Sequence, residues 1–221
     1  MLDDPSLPAQ EMLRNLRDLD MVNRRWGASR ALERWLVRRL REGRDASATV
    51  LDVGAGSGAV SRRLRRAMGA AGVRAEVFAL DVQWRHLAAG RRLSGGERLP
   101  EMTADALALP LPDRAVDWVV STLLAHHLPP ERVEALLAEA ARVSRRGFAL
   151  LDLRRHRAPL AFLALVGRFA FESPVSLHDG LASVRQAYTP AELRAIAQRA
   201  APGARVRRLF PYRLLITRSG P

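Results

Sequence analysis

Val50-Leu51-Asp52-Val53-Gly54-Ala55-Gly56-Ser57-Gly58 changes character in its middle. The segment Thr49–Val53 is a short apolar run that ends at glycines, which reads as a buried strand. Beyond it, Val60, Leu64 and Met68 recur at helical spacing. The glycines therefore sit in a strand–turn–helix junction. There they let the backbone turn tightly and let a ligand approach to contact distance. Their spacing is Gly-x-Gly-x-Gly, not the Gly-x-Gly-x-x-Gly of the dinucleotide fingerprint, which aims a helix N-terminus at a pyrophosphate. Alone, the loop fits a bare structural turn as well as a nucleoside cofactor.

Working outward, strand and helix patterns alternate. Ala75–Val82 reads as a second strand, Gln83–Leu93 as a helix, and Leu99–Thr103 as a weak third strand. Ala115–Thr122 is a fourth strand, Pro130–Val143 a helix, and Gly147–Leu153 a fifth strand. Upstream, residues 10–42 are helical with a break at Gly27. Downstream comes an apolar segment, Pro159–Phe171, then a helix started by Thr189, Pro190 and Glu192 as N-cap, first residue and capping-box partner. Arg205–Phe210 and Tyr212–Thr217 read as a closing antiparallel pair. The fold class is therefore α/β, a Rossmann-like, mostly parallel sheet of seven strands with helices on both faces. The 221 residues suit one domain. Its expected parts are an N-terminal helical lid (1–45), a core (46–153), a lid insertion (154–190), and a closing helix and strand pair (191–221).

Composition narrows the function classes. The chain has no cysteine, which excludes disulfides, thiolate metal sites and a cysteine nucleophile. No metal-site signature is present. No apolar run reaches the roughly 18 residues of a membrane span, and Met1-Leu2-Asp3-Asp4-Pro5 lacks the order of a signal peptide, so a cytoplasmic location is expected. The net charge of +13 invites a nucleic-acid partner. Yet there is no lysine, and isoleucine occurs only at Ile196 and Ile216, the mark of GC-rich coding. The arginines are also dispersed, and pairs such as Arg62-Arg63 read as solvated helix faces. Nucleic acid is therefore not the expected partner.

Four further features lie downstream of the loop. Asp81 ends the second strand, where a carboxylate can accept from both ribose hydroxyls, a role shared by NAD sites. Asp105, in Ala104-Asp105-Ala106, follows the third strand. Asp117-Trp118-Val119-Val120-Ser121 forms the fourth strand, and His126-His127-Leu128 follows it. Together with Val50–Gly58 and Asp105-Ala106-Leu107-Ala108-Leu109-Pro110, these residues resemble class I S-adenosylmethionine (SAM)-dependent methyltransferases. The nearest branch is the small-molecule one, with ubiquinone, menaquinone and polyketide methyltransferases. The resemblance covers about residues 48–153.

The resemblance implies SAM as cofactor and S-adenosylhomocysteine as product. It implies that Gly54, Gly56 and Gly58 line the methionine and ribose, and that Asp52 anchors the loop or meets the cofactor amine. Asp81 would take the ribose diol, Val82 would pack on adenine, Asp105 and Ala106 would address the adenine ring, and Ser121 would lie near the methionine. The acceptor implied is a small hydrophobic or aromatic molecule, with O-methylation of a phenolic, polyketide or quinone-like compound as the leading reaction. An oxygen nucleophile needs a base, and His126, His127 and His178 are the candidates. Arg185 and Tyr188 beyond His178, and Trp26 in the N-terminal helices, are candidate acceptor contacts. The alternatives are an RNA or protein methyltransferase using the basic surface, or a non-catalytic SAM-binding protein. Against a base-amino enzyme, the fourth strand runs into Ser121-Thr122-Leu123-Leu124, not an Asn/Asp-Pro-Pro-aromatic tetrad.

Overall fold

The computed structural model describes residues 8–25, 28–170 and 174–220. Seven strands form one sheet: β1 (Ser47–Val53), β2 (Arg74–Asp81), β3 (Glu101–Thr103), β4 (Val116–Thr122), β5 (Ser144–Leu153), β6 (Arg205–Leu209) and β7 (Arg213–Ser219). Their order is β3-β2-β1-β4-β5-β7-β6. The first five are parallel, and β7 runs antiparallel between β5 and β6. The helices are α1 (Ala9–Arg25), α2 (Ala28–Glu42), α3 (Ala59–Ala70), α4 (Trp84–Leu93), α5 (Pro130–Val143), α6 (Arg157–Ala170), α7 (Pro174–Gln186) and α8 (Pro190–Ala200). A 3-10 turn at Ala125–His127 follows β4. The chain order reverses between β1 and β4, and in open α/β sheets that switch point at the strands' C-terminal ends is where ligands bind.

The strands are apolar on both faces because helices cover both. Leu51, Val119, Phe148, Leu150, Leu214 and Ile216 pack against Val133, Leu136 and Leu137 of α5 and Leu193 and Ile196 of α8. Their neighbours Val50, Trp118, Val120, Ala149, Leu151 and Leu215 face the other way, onto α3 and α2. Leu32, Leu36 and Leu40 of α2 are fully buried there, and Trp35 meets Trp118 edge-on at 5.3 Å. Thus α2 is a core helix, although it lies in the stretch read from sequence as a lid. α1 instead packs Met12 and Leu16 on Ala89 of α4 and touches α7.

Two other features have physical causes. Residues 177–186, polar and interrupted by Gly180, lie in the helix α7. Packing on α6 supplies the stabilisation that propensity does not: a Cβ on Gly167 would come within 2.3 Å of Leu177. Arg62 is buried, not a solvated partner of Arg63. Its guanidinium donates to the carbonyls of Ser57 (2.7 Å) and Glu97 (3.2 Å). Among the described residues no helix is long and apolar enough to cross a membrane.

Candidate active site

The glycine loop leaves β1 with Gly54, Gly56 and Gly58 all left-handed, at φ of 69°, 56° and 69°. That alternation is the physical reason for glycine at every second position, because a Cβ disfavours the conformation. The loop is held from several sides. Ala55 N–H donates to the Leu80 carbonyl at 2.9 Å, and Gly56 N–H to Asp81 Oδ2 at 2.7 Å. Asp81 Oδ1 accepts from Gln83 N–H at 2.8 Å, and buried His86 stands 3.7 Å from the same oxygen. A Cβ on Gly56 would meet nothing within 4 Å, so the space over the loop is open. These residues fit a cofactor that needs close backbone approach and a carboxylate beside it.

Asp52 lies beneath the loop. It is fully buried, and its Oδ2 accepts from the Ser61 hydroxyl at 2.6 Å, tying β1 to α3. Its other oxygen has no hydrogen-bond partner. Burial pushes its carboxyl up to about 7; the Ser61 hydrogen bond opposes this and the nearby Asp81 charge adds to it. Between the ordinary carboxylate value of 3.8 and about 7, the native state therefore holds a proton that the unfolded chain has released. Stability falls as pH rises through that window and levels off above it. Asp52→Asn is expected to melt higher than the parent at about pH 8 and to lose that advantage by about pH 4. Superimposable pH profiles of the two melting temperatures would refute this role.

Val82 is 63% exposed beyond Asp81. Asp105 is also exposed, and its Oδ1 accepts from Leu107 N–H at 2.9 Å. Ala106 packs at the edge of the core. The loop that carries them is pinned to α5 by Arg142, which donates to the Leu109 and Leu111 carbonyls and pairs with Glu139 and Asp113. Ser121 is buried at the end of β4, with its hydroxyl donating to the Val53 carbonyl at 2.8 Å. That bond joins the two strands at the switch point.

Leu124 packs against Gly54, so the 3-10 turn starts at the glycine loop. His126 is buried, its Nδ1 2.6 Å from Asp152 Oδ1 at the end of β5, and its backbone N–H donates to Oδ2 at 3.2 Å. Burial alone would raise the Asp152 carboxyl, but the His126 imidazole and backbone N–H donors hold it below its ordinary value. Arg213, buried across β7, is lowered to about 10 by its own burial, which the Asp152 charge partly offsets. The His126 and His127 rings touch at a tilt, with centroids 4.1 Å apart and planes 38° from parallel. Sequence reading had both histidines but not Asp152; only the parallel pairing of β4 with β5 shows that they meet.

Both histidines line a cavity of about 630 Å³ with Leu128, Tyr188, Arg155, Glu192 and Ile196 among its walls. Tyr188 donates its hydroxyl to the Leu128 carbonyl at 2.5 Å. His178 and Arg185 are exposed on α7 and are not among the residues lining this cavity. Trp26 lies outside the described residues. Among the described residues no cluster of His, Asp or Glu could hold a metal ion.

Residues 50–147 match the family described as "Methyltransferase domain". No curated protein matches the chain. Among solved structures, a SAM-dependent methyltransferase from Aquifex aeolicus is similar at 20% identity and a TM-score of 0.59, over 97% of this chain and 99% of that one. The magnesium protoporphyrin IX methyltransferase of Synechocystis PCC 6803, with bound S-adenosylhomocysteine, is similar at 19% identity and a TM-score of 0.58, over 88% of this chain and 82% of that one. These likenesses carry the fold. Residues 50–147 thus match a methyltransferase domain, and the chain carries the fold of the SAM-dependent methyltransferases it resembles.

Proposed function

We propose that the chain methylates a small apolar or aromatic acceptor, with the cavity beside the 3-10 turn as the acceptor's seat. O-methylation of a phenolic, polyketide or quinone-like compound is the leading reaction. The observation that carries this reading is the buried Asp152–His126 pair with the His127 ring in contact with it at the cavity wall. A cavity of about 630 Å³ is of small-molecule size. The Synechocystis relative is itself named for a small-molecule acceptor.

When bound, SAM supplies an electrophilic methyl group on sulfur and leaves as S-adenosylhomocysteine. The glycine loop and Ser121 would seat its methionine and ribose, Asp81 would accept from the ribose diol, and Val82, Asp105 and Ala106 would frame the adenine. In the acceptor cavity, His127 takes the proton of the phenolic hydroxyl as the oxygen attacks. His126, fixed by Asp152, keeps His127 in place through the tilted ring contact, so it acts as a positioning residue. Tyr188 braces the Leu128 backbone behind the pair. α1 with α6 and α7 would form the lid, since α1 and α7 touch and α2 belongs to the core.

The test is turnover, read as S-adenosylhomocysteine release with a panel of phenolic and hydroxyquinone acceptors. His127→Ala is expected to lower kcat roughly 100-fold with little change in KM, the ordinary size of a lost general base. Asp152→Asn is expected to lower kcat about tenfold and to shift the pH profile, because the ring loses its fixed tautomer. Unchanged turnover in both variants would mean catalysis by proximity alone.

A further inference from the structure

His86 and Gly90 stand one turn apart on the face of α4 that meets the glycine loop. Gly90 admits the loop's backbone, since a Cβ there would fall 1.9 Å from the Ser57 carbonyl oxygen. His86 is 4% exposed, and its Nδ1 lies 3.7 Å from Asp81 Oδ1. Buried helix positions are ordinarily apolar, as Leu87 and Ala89 beside it are. A histidine in this place sets a group that can change charge against the carboxylate of the loop.

The accepting sites of Asp81 can be counted. Oδ2 accepts the Gly56 N–H at 2.7 Å, and Oδ1 accepts the Gln83 N–H at 2.8 Å. Each oxygen has two lone pairs, so one on each remains for the two hydroxyls of a ribose. At 3.7 Å His86 is beyond hydrogen-bond length but within ion-pair range. An uncharged ring therefore leaves the second site of Oδ1 open. A buried imidazolium needs a counter-charge, and Asp81 is the carboxylate at ion-pair distance from it.

Other charged groups stand on the elements around α4. Asp52 of β1 lies close enough to feel the Asp81 charge. Arg62 and Arg63 are in the first turns of α3, and Arg85 precedes His86 on α4. Asp18 is buried on α1, which packs Met12 and Leu16 on Ala89. Arg91, farther along α4, pairs with Glu101 of β3. Asp52 is the one of these whose carboxyl is pushed up to about 7, so its effect and that of His86 need separate variants.

We propose that His86 is a positioning residue of the cofactor site, which decides whether Asp81 is available to the ribose. Uncharged, the ring packs beside the carboxylate and leaves Oδ1 to a ribose hydroxyl. Protonated, it is drawn onto Oδ1, and the cofactor binds only as that proton leaves. Cofactor affinity therefore falls in acid through His86. The inference rests on the reading of Asp81 as the ribose ligand and does not depend on which acceptor is methylated.

The experiment is calorimetric titration of the full chain with S-adenosylhomocysteine at about pH 8 and about pH 5.5. The parent is expected to lose about tenfold in affinity between the two, the size of one competing proton across the histidine range. His86→Gln and His86→Asn, two neutral replacements, should bind within about threefold of the parent at the higher pH and keep that affinity at the lower. They should therefore bind more tightly than the parent in acid, whereas loss of a merely structural histidine would weaken binding at both. Asp52→Asn should retain the parent's loss. A parent whose affinity does not fall, a fall that persists in both His86 variants, or one that disappears only in Asp52→Asn overturns the inference. An Asp81→Ala chain that binds as the parent does at the higher pH would instead remove the reading of Asp81, and the inference with it.

Discussion

Gly90→Ala is expected to weaken SAM binding roughly 10- to 100-fold and to lower the melting temperature, although Gly90 lies in α4, outside the glycine loop. An alanine Cβ there would fall 1.9 Å from the Ser57 carbonyl oxygen and 2.6 Å from its carbon. These are backbone atoms, so no rotamer relieves the clash. Ser57 cannot retreat freely, because Arg62 holds its carbonyl at 2.7 Å and left-handed glycines stand on both sides. Nor can α4 shift outward without lifting buried Leu87 and Ala89 from their packing. Overpacking of this kind costs about 1–3 kcal/mol, and the affinity loss follows if the strain is released by displacing the loop. Gly69→Ala in α3 is the control: a Cβ there meets nothing within 4 Å, and the change should be neutral or slightly stabilising. Equal SAM affinity in the parent and Gly90→Ala, measured by calorimetry, would show that the loop does not depend on this approach.

Asp81→Ala is expected to cost at least about 100-fold in SAM affinity. Its carboxylate has two duties. It accepts the Gly56 and Gln83 N–H groups, which fixes the loop over the start of α4, and in the proposed site it would present lone pairs to a ribose diol. Hydrogen bonds to a charged group contribute about 1.5–3 kcal/mol each, so losing the pair to the diol alone accounts for the expected factor. Asp81→Asn should fare little better. One of its termini becomes an NH2 donor, which must face either the Gly56 or the Gln83 N–H, also a donor.

The sequence made the proposed cofactor half of the site legible because its chemistry is local. Gly54, Gly56, Gly58 and Asp81 sit at element ends that hydrophobic pattern alone locates, and the glycine spacing translates directly into alternating left-handed residues. The acceptor half depends on distant pairing. His126 lies in the turn after β4 and Asp152 on β5, and nothing in either neighbourhood names the other; the β4–β5 register brings them together. The Leu32, Leu36 and Leu40 stripe of α2 shows the limit of periodicity: it reveals that a helix has an apolar face, not whether a sheet or a substrate covers it. Arg62 escaped because a buried arginine and a solvated one look alike among the four arginines at 62, 63, 65 and 66.

The assignment of the glycine loop and Asp81 as the SAM site is tested most directly by one calorimetric experiment. The parent chain and Asp81→Ala are each titrated with S-adenosylhomocysteine, with NAD titrated into the parent as the competing nucleoside. The expected result is one S-adenosylhomocysteine site per chain in the parent, a weakening of at least about 100-fold in the variant, and no measurable heat with NAD. Equal S-adenosylhomocysteine affinity in the two proteins would contradict the assignment, as would NAD binding that Asp81→Ala abolishes.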